Sequence, residues 1–284
     1  MNSPINYFGG KGTMFNNIIE HFPSPNSYST YIEPFGGSYS IGLKMPYIPP
    51  NEVYNDMEEN VYSFFKVLQD EELFKSFKRL ADLTPYSEQL RLEYIHRLKE
   101  SGPELDIVER AWMFFYVNKA SRNGIGGLSI NFAVRRNMAK SVSDYLSAID
   151  RLPEFHERIS HMLILHRDGI SLIDKYGQDE RVFMYCDLPY VWSTRTDTRY
   201  KVDMDNDLQQ KFVDTCINAK CKLLISGYDN EIYKQLEDAG FQKIGFEVSV
   251  YGGNNISRTK TEYLWKNYDQ QEISETSENI SELF

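Results

Sequence analysis

The chain of 284 residues is poor in cysteine: it has three, Cys186, Cys216 and Cys221, and no C-x-x-C pair. So odd and scattered a set excludes a disulfide framework or a zinc knuckle and suits a reducing compartment. No apolar run approaches the ~18–20 residues that cross a bilayer, so no membrane association is expected. Met1 to Gly12 lacks the basic-then-apolar order of a secretory leader, so none is expected; the expected setting is the cytoplasm, bacterial or a host's if a phage encodes the protein. His156, His161 and His166 are spaced by five, which suits neither one helix face nor one strand face, and no metal is expected. Bases are also scarce, 31 Lys and Arg against 41 Asp and Glu, for a net charge of −10. Taken alone, that argues against a nucleic-acid partner.

The deficit is uneven. From Arg110 to Ser143 there are six bases (Arg110, Lys119, Arg122, Arg135, Arg136, Lys140) and no acid, where the chain average would give roughly five. Asp269 to Phe284 holds five acids and no base, so the net charge without this tail is −5. Such a tail is expected to be disordered. Hydrophobic residues at 41% and charged residues at 25% are ordinary globular usage, and the length suits about two domains.

Short β-rich runs end on turn or acidic residues: Ser29 to Pro34 before Phe35-Gly36-Gly37, Glu52 to Asp56, His161 to His166 before Asp168, Arg181 to Asp187, and Lys222 to Gly227. Helical stretches between them imply a parallel, doubly wound α/β sheet with helices on both faces. A helix is expected from near Ser38. Phe241 to Tyr251 and Thr261 to Tyr268 alternate in polarity around Gly252-Gly253, an antiparallel hairpin. Residues 57–160 differ: Val61, Phe64, Phe65 and Leu68 recur at helical spacing, as do Leu90, Tyr94 and Leu98, and Val108, Trp112 and Phe115. Asn118 to Ala133 reads as a loop or hairpin, and Ser141 as the cap of a further helix completed by Asp144. The expected domains are 1–56 with 161–268, an inserted helical domain at 57–160, and the tail at 269–284.

Asp187-Leu188-Pro189-Tyr190 closes an apolar strand, where open parallel sheets bind ligands. An exocyclic amino nitrogen is a poor nucleophile because its lone pair is delocalised into the ring. The Asp187 carboxylate and the Leu188 carbonyl, on a backbone restricted by Pro189, can accept both N–H bonds and favour a tetrahedral nitrogen. Tyr190 can stack on the base. Tyr31 to Ser38 places glycines between a strand and the next element, which lets backbone approach a ligand closely. This is not G-x-G-x-x-G. Asp56 ends the next strand about twenty residues on, where acids bind ribose hydroxyls. Tyr7-Phe8-Gly9-Gly10-Lys11-Gly12 offers an aromatic face and a cation without phosphate-loop spacing.

In this order, these elements resemble the Dam-type N6-adenine DNA methyltransferases over about residues 4 to 268. Pro4 to Lys11 is similar to that family's P-x-x-x-x-G-G-K element, Tyr31 to Ser38 to its glycine motif, and Asn118 to Phe132 to its recognition hairpin. Tyr185 to Tyr190 is similar to its catalytic D-P-P-Y. The resemblance implies a Rossmann-like seven-stranded methyltransferase sheet with a C-terminal antiparallel hairpin and an inserted target-recognition domain. It implies S-adenosylmethionine as cofactor, held by Tyr7, Lys11, Phe35, Gly36, Gly37, Asp56, Asp168 and Asp187. It implies catalysis by Asp187, Leu188, Pro189 and Tyr190 on an adenine flipped from duplex DNA, which Lys119, Arg122, Asn123, Arg135, Arg136 and Lys140 would contact. A restriction endonuclease counterpart is left open. Leu188 departs from the family's first proline. That leaves two alternatives to adenine methylation: a weakened DNA-binding module, or methylation of cytosine N4.

Overall fold

The computed structural model describes residues 1–7, 11–100, 104–124, 126–188, 206–251 and 257–269. In chain order the elements are α1 (Phe15–Ile19), β1 (Thr30–Glu33), β2 (Asn51–Asn55), α2 (Glu59–Gln69), α3 (Glu71–Leu83), α4 (Glu88–Glu100), α5 (Ile107–Ala120), β3 (Val134–Arg135) and β4 (Met138–Ala139). There follow α6 (Lys140–Asp150), α7 (Leu152–Ile159), β5 (Leu163–Leu165), α8 (Gly169–Tyr176), β6 (Val182–Asp187), α9 (Asn206–Ile217), β7 (Lys222–Gly227), α10 (Lys234–Asp238), β8 (Gln242–Tyr251) and β9 (Ser257–Lys266).

Seven strands form one sheet in the order β5-β2-β1-β6-β7-β9-β8. The pairs β2–β5, β1–β6 and β6–β7 are parallel. The C-terminal hairpin pairs β8 with β9 from Gln242↔Lys266 to Tyr251↔Ser257, and β9 lies antiparallel on β7. The parallel strands are apolar because both faces are covered: Val182 to Cys186 and Leu223 to Ile225 are all buried.

By internal contacts the chain forms two compact units. One is Met1–Phe15 with Glu33–Ser171; the other is Asn16–Ile32 with Leu172–Phe284. The core of the first is aromatic. Phe64 and Phe65 of α2, Phe77 of α3, and Trp112 and Phe115 of α5 are at most 3% exposed. The Phe64 and Phe115 rings stack at 5.5 Å. Carboxylates start these helices by accepting orphan N–H groups: Glu58 from Val61, Asp70 from Glu72 and Leu73, and Asp106 from Val108 and Glu109.

Two local expectations differ from the structure. No α-helix follows Ser38. Tyr39 takes a φ of 55°, and only a 3₁₀ turn, Gly42–Lys44, forms before Pro46. Glu33, at the end of β1, accepts the Gly42 N–H at 2.9 Å and so supports that turn. Ser141 is not a cap either, because α6 begins at Lys140 with no side-chain cap. Asp144, expected to complete that cap, instead pairs with Arg135 and Lys140.

Candidate active site

β1 delivers the chain into Pro34-Phe35-Gly36-Gly37, and β2 delivers Asp56 beside it. The Asp56 carboxylate accepts the Gly37 N–H at Oδ2 and the Glu58 N–H at Oδ1, both at 2.8 Å. Burial pushes Asp56 up to about 6, against the pull of those two backbone donors; Glu58 adds to the rise and His166 opposes it. Asn55 ties the same turn to the end of β5: its amide donates to the Pro34 and Arg167 carbonyls and its oxygen accepts from Arg167 N–H.

Both glycines are required. A Cβ on Gly36 would lie 2.4 Å from the Tyr54 ring. At Gly37, φ is +49° and a Cβ would lie 2.8 Å from the Tyr7 ring. Tyr54 donates its hydroxyl to the Gly37 carbonyl at 2.9 Å. Tyr7, Gly36, Gly37 and Asp56 are therefore brought together. Phe35 turns toward α8, since a Cβ on Gly169 would strike its ring at 2.4 Å. The neighbouring Asp168 caps α8, accepting from the Ile170 and Ser171 N–H groups. Lys11 opens a 3₁₀ turn and is 2% exposed.

In the second unit, Asp187 is the last residue of β6 and accepts the Ser226 hydroxyl at 2.8 Å. The Leu188 side chain is 3% exposed. Pro189, Tyr190, the Asn123 side chain and the tail from 270 lie outside the described residues.

The basic segment forms a two-part arm. Residues 120–129 close on themselves: Ser129 N–H donates to the Ala120 carbonyl at 2.7 Å, and Arg122 N–H donates to the Gly127 carbonyl at 2.9 Å. Beyond, β3 and β4 make a two-residue hairpin whose central residues, Arg136 and Asn137, have φ of 53° and 57°, the primed turn that tight hairpins favour. Arg135 and Lys140 share Asp144, and Arg136 faces Asp150 at 3.7 Å. Lys119 is half-buried, and burial together with Arg151 lowers it to about 8.

Sequence reasoning missed four residues here. Ile130, Phe132 and Val134 are 51%, 83% and 81% exposed, and their every-second-residue spacing just ahead of Arg135 was the available signal. Arg91 is buried in α4 and donates to the Ser121 hydroxyl and the Gly126 carbonyl, holding the loop that presents Arg122. No local signal marks it.

A glycine turn clamped by a buried strand-end acid, in an open sheet with a C-terminal antiparallel pair, gives a Rossmann-like α/β architecture. The chain belongs to the D12 class N6 adenine-specific DNA methyltransferases, whose family pattern matches residues 7–250. It is therefore an adenine-specific DNA methyltransferase. No curated protein matches it. Among solved structures it is similar to precorrin 8w decarboxylase from Methanobacterium thermoautotrophicum, with 7% identity and a TM-score of 0.36, over 91% of this chain and 89% of that one. So loose a likeness bears on neither fold nor function.

Proposed function

We propose that the methyl donor is S-adenosylmethionine and that the acceptor is adenine N6 in duplex DNA, with the base turned out of the helix. The Gly37–Asp56 clamp carries this reading. Two glycines let the turn after β1 pack directly against the Tyr54 and Tyr7 rings, and the buried carboxylate beside it stands at a strand end, where acids accept ribose hydroxyls. The residues present fit the cofactor. Tyr7, Lys11, Phe35, Gly36, Gly37, Asp56 and Asp168 would hold it, together with Asp187. When bound, it supplies a methyl group on a positively charged sulfur, open to direct attack.

The chain's part is alignment and electrostatics. Asp187 and the Leu188 carbonyl accept the two amino N–H bonds and return the lone pair to the nitrogen. Tyr190 stacks on the base, and Pro189 restricts the backbone between them. Extruding the base costs a few kcal/mol of unstacking. Lys119, Arg122, Asn123, Arg135, Arg136 and Lys140 offset this by contacts to phosphates and base edges. Residues 57–160 are on this reading the target-recognition part, inserted in a catalytic domain of 1–56 and 161–268. The setting is a bacterial cytoplasm, or a host's if a phage carries the gene. Among the described residues, no helix is long and apolar enough to cross a membrane.

The test is methyl transfer from labelled S-adenosylmethionine to mixed-sequence duplex DNA, with Asp187→Ala beside the wild type. Label recovered as N6-methyladenine from the wild type alone supports the reading. Label on cytosine, or label undiminished in Asp187→Ala, overturns it.

A further inference from the structure

The parallel register sets Ser226 of β7 beside Asp187 of β6. Side chains alternate along a strand, so Tyr185 and Asp187 leave β6 on the same face. The Ser226 oxygen lies 2.8 Å from Asp187 Oδ1 and 3.0 Å from the Tyr185 hydroxyl. Tyr185 and Ser226 are 1% and 2% exposed, so bulk water does not compete for these bonds, and each is stronger than it would be at a surface.

The direction of the chain is forced. An ionised carboxylate only accepts. Ser226 has one hydroxyl proton, so it donates that proton to Asp187, and its oxygen receives the proton of Tyr185. The terminal torsion of an aspartate is broad, without the steep staggered wells of an aliphatic side chain. A bond to one carboxylate oxygen from a buried, fixed hydroxyl therefore biases the plane that the carboxylate adopts.

We propose that Ser226 and Tyr185 are positioning residues for the Asp187 carboxylate: the one-way relay from Tyr185 through Ser226 orients the carboxylate for receiving the target amino group. This rests on the reading of Asp187 as that acceptor. A purely structural role, stitching β6 to β7, is already filled by a backbone register running from Phe183↔Lys222 to Asp187↔Ser226.

The test uses the full chain and four variants: Ser226→Ala, Tyr185→Phe, their double, and Asp187→Ala. Single-turnover methyl transfer into long unmethylated DNA is read against separately measured dissociation constants for cofactor and DNA. Loss of a hydrogen bond to a charged group lowers the Ser226→Ala rate by about tenfold to a hundredfold, with both dissociation constants unchanged within about twofold. Tyr185→Phe loses less, about threefold to tenfold, because it acts through Ser226. The double variant is no slower than Ser226→Ala, since Tyr185 has nothing to act on once Ser226 is gone.

A readout independent of turnover is the Tyr185 hydroxyl proton in tyrosine-labelled apo protein. It is held from exchange by the bond to Ser226, and its signal is lost or shifted in Ser226→Ala. If Asp187→Ala keeps its rate, the reading of Asp187 falls. If Asp187→Ala is dead while Ser226→Ala and Tyr185→Phe keep full rate, or the double variant is fully additive, the relay falls. Should Ser226→Ala melt early, the isosteric Tyr185→Phe carries the test alone: a wild-type rate there overturns the relay.

Discussion

Cofactor affinity is expected to fall as pH drops through 6, because on the proposed reading Asp56 holds ribose hydroxyls, and a carboxylate accepts them far better than its protonated form. In the free protein Asp56 is raised to about 6, chiefly by burial. At pH 7.5 it is almost wholly charged; at pH 5 about nine-tenths of it is protonated. The competent fraction therefore falls by about tenfold, or about 1.4 kcal/mol of binding free energy. Titration calorimetry of S-adenosylmethionine into the apo protein, from pH 7.5 to 5, reads this directly as a unit slope below 6 with proton release on binding.

Stability moves the opposite way. A carboxyl whose folded value lies above its unfolded one holds its proton more tightly when native. Ionised Asp56 thus costs the apo fold about 3 kcal/mol at neutral pH, and the cost disappears as pH falls from about 6 to below about 4. Asp56→Asn does not substitute for the protonated acid. Both Asp56 oxygens accept backbone N–H groups, and an amide offers one acceptor and turns its NH₂ on the other donor. That variant is expected to bind the cofactor at least about tenfold more weakly, with no inflection near pH 6. A wild-type dissociation constant constant within twofold over this range, with the fold intact, refutes the reasoning. So does an inflection that persists in Asp56→Asn.

Three further outcomes are expected. Lys119, lowered to about 8, loses its charge between pH 7 and 9, so DNA binding weakens over that range; in Lys119→Met the pH effect disappears and the salt slope shrinks by about one, as filter binding at several salt concentrations would show. Gly37→Ala meets both a positive φ and the Tyr7 ring, and is expected to lose about 1–2 kcal/mol of stability and most cofactor binding, measured by thermal melting and calorimetry. Arg158 donates through two nitrogens to the 4%-exposed Glu52 carboxylate, which also takes the Tyr39 hydroxyl. Arg158→Ala leaves that charge buried and is expected to cost about 3–5 kcal/mol in denaturant melts, with much of the loss recovered by adding Glu52→Gln.

What could be read from the sequence is what short chain segments decide. A strand ending on an acid, and glycines directly after a strand, are local statements, and Gly36, Gly37, Asp56 and Asp187 follow from them. The parallel sheet follows from short apolar runs separated by helical stretches and the C-terminal hairpin from alternating polarity, while the count of seven strands comes with the family resemblance. Pairings across long separations could not be read. The Asn118 side chain exchanges two hydrogen bonds with the Asn6 backbone, 112 residues away. Ser226 meets Asp187 only because two strands adopt one register out of several. Ser38 and Ser141 fit local helix-start rules and were overridden, one by the left-handed Tyr39 and the other by the competing bases around Asp144.

The charge balance, which seemed to exclude DNA, is better understood by where the acids work. Asp56 and Asp187 accept hydrogen bonds inside the fold, and Glu58, Asp70 and Asp106 accept them at helix starts, where the helix dipole partly offsets the charge. Asp144 and Asp150 do lie beside the arm, and each is engaged by its bases. At exposed positions such pairs are worth little, about 0–1 kcal/mol, and a polyphosphate competes for the same guanidinium and ammonium groups. The arm is therefore held in shape at rest without being neutralised against DNA. Net charge is a sum over the whole surface, whereas a duplex meets one face, and on the proposed reading that face is the arm built from the acid-free run of sequence.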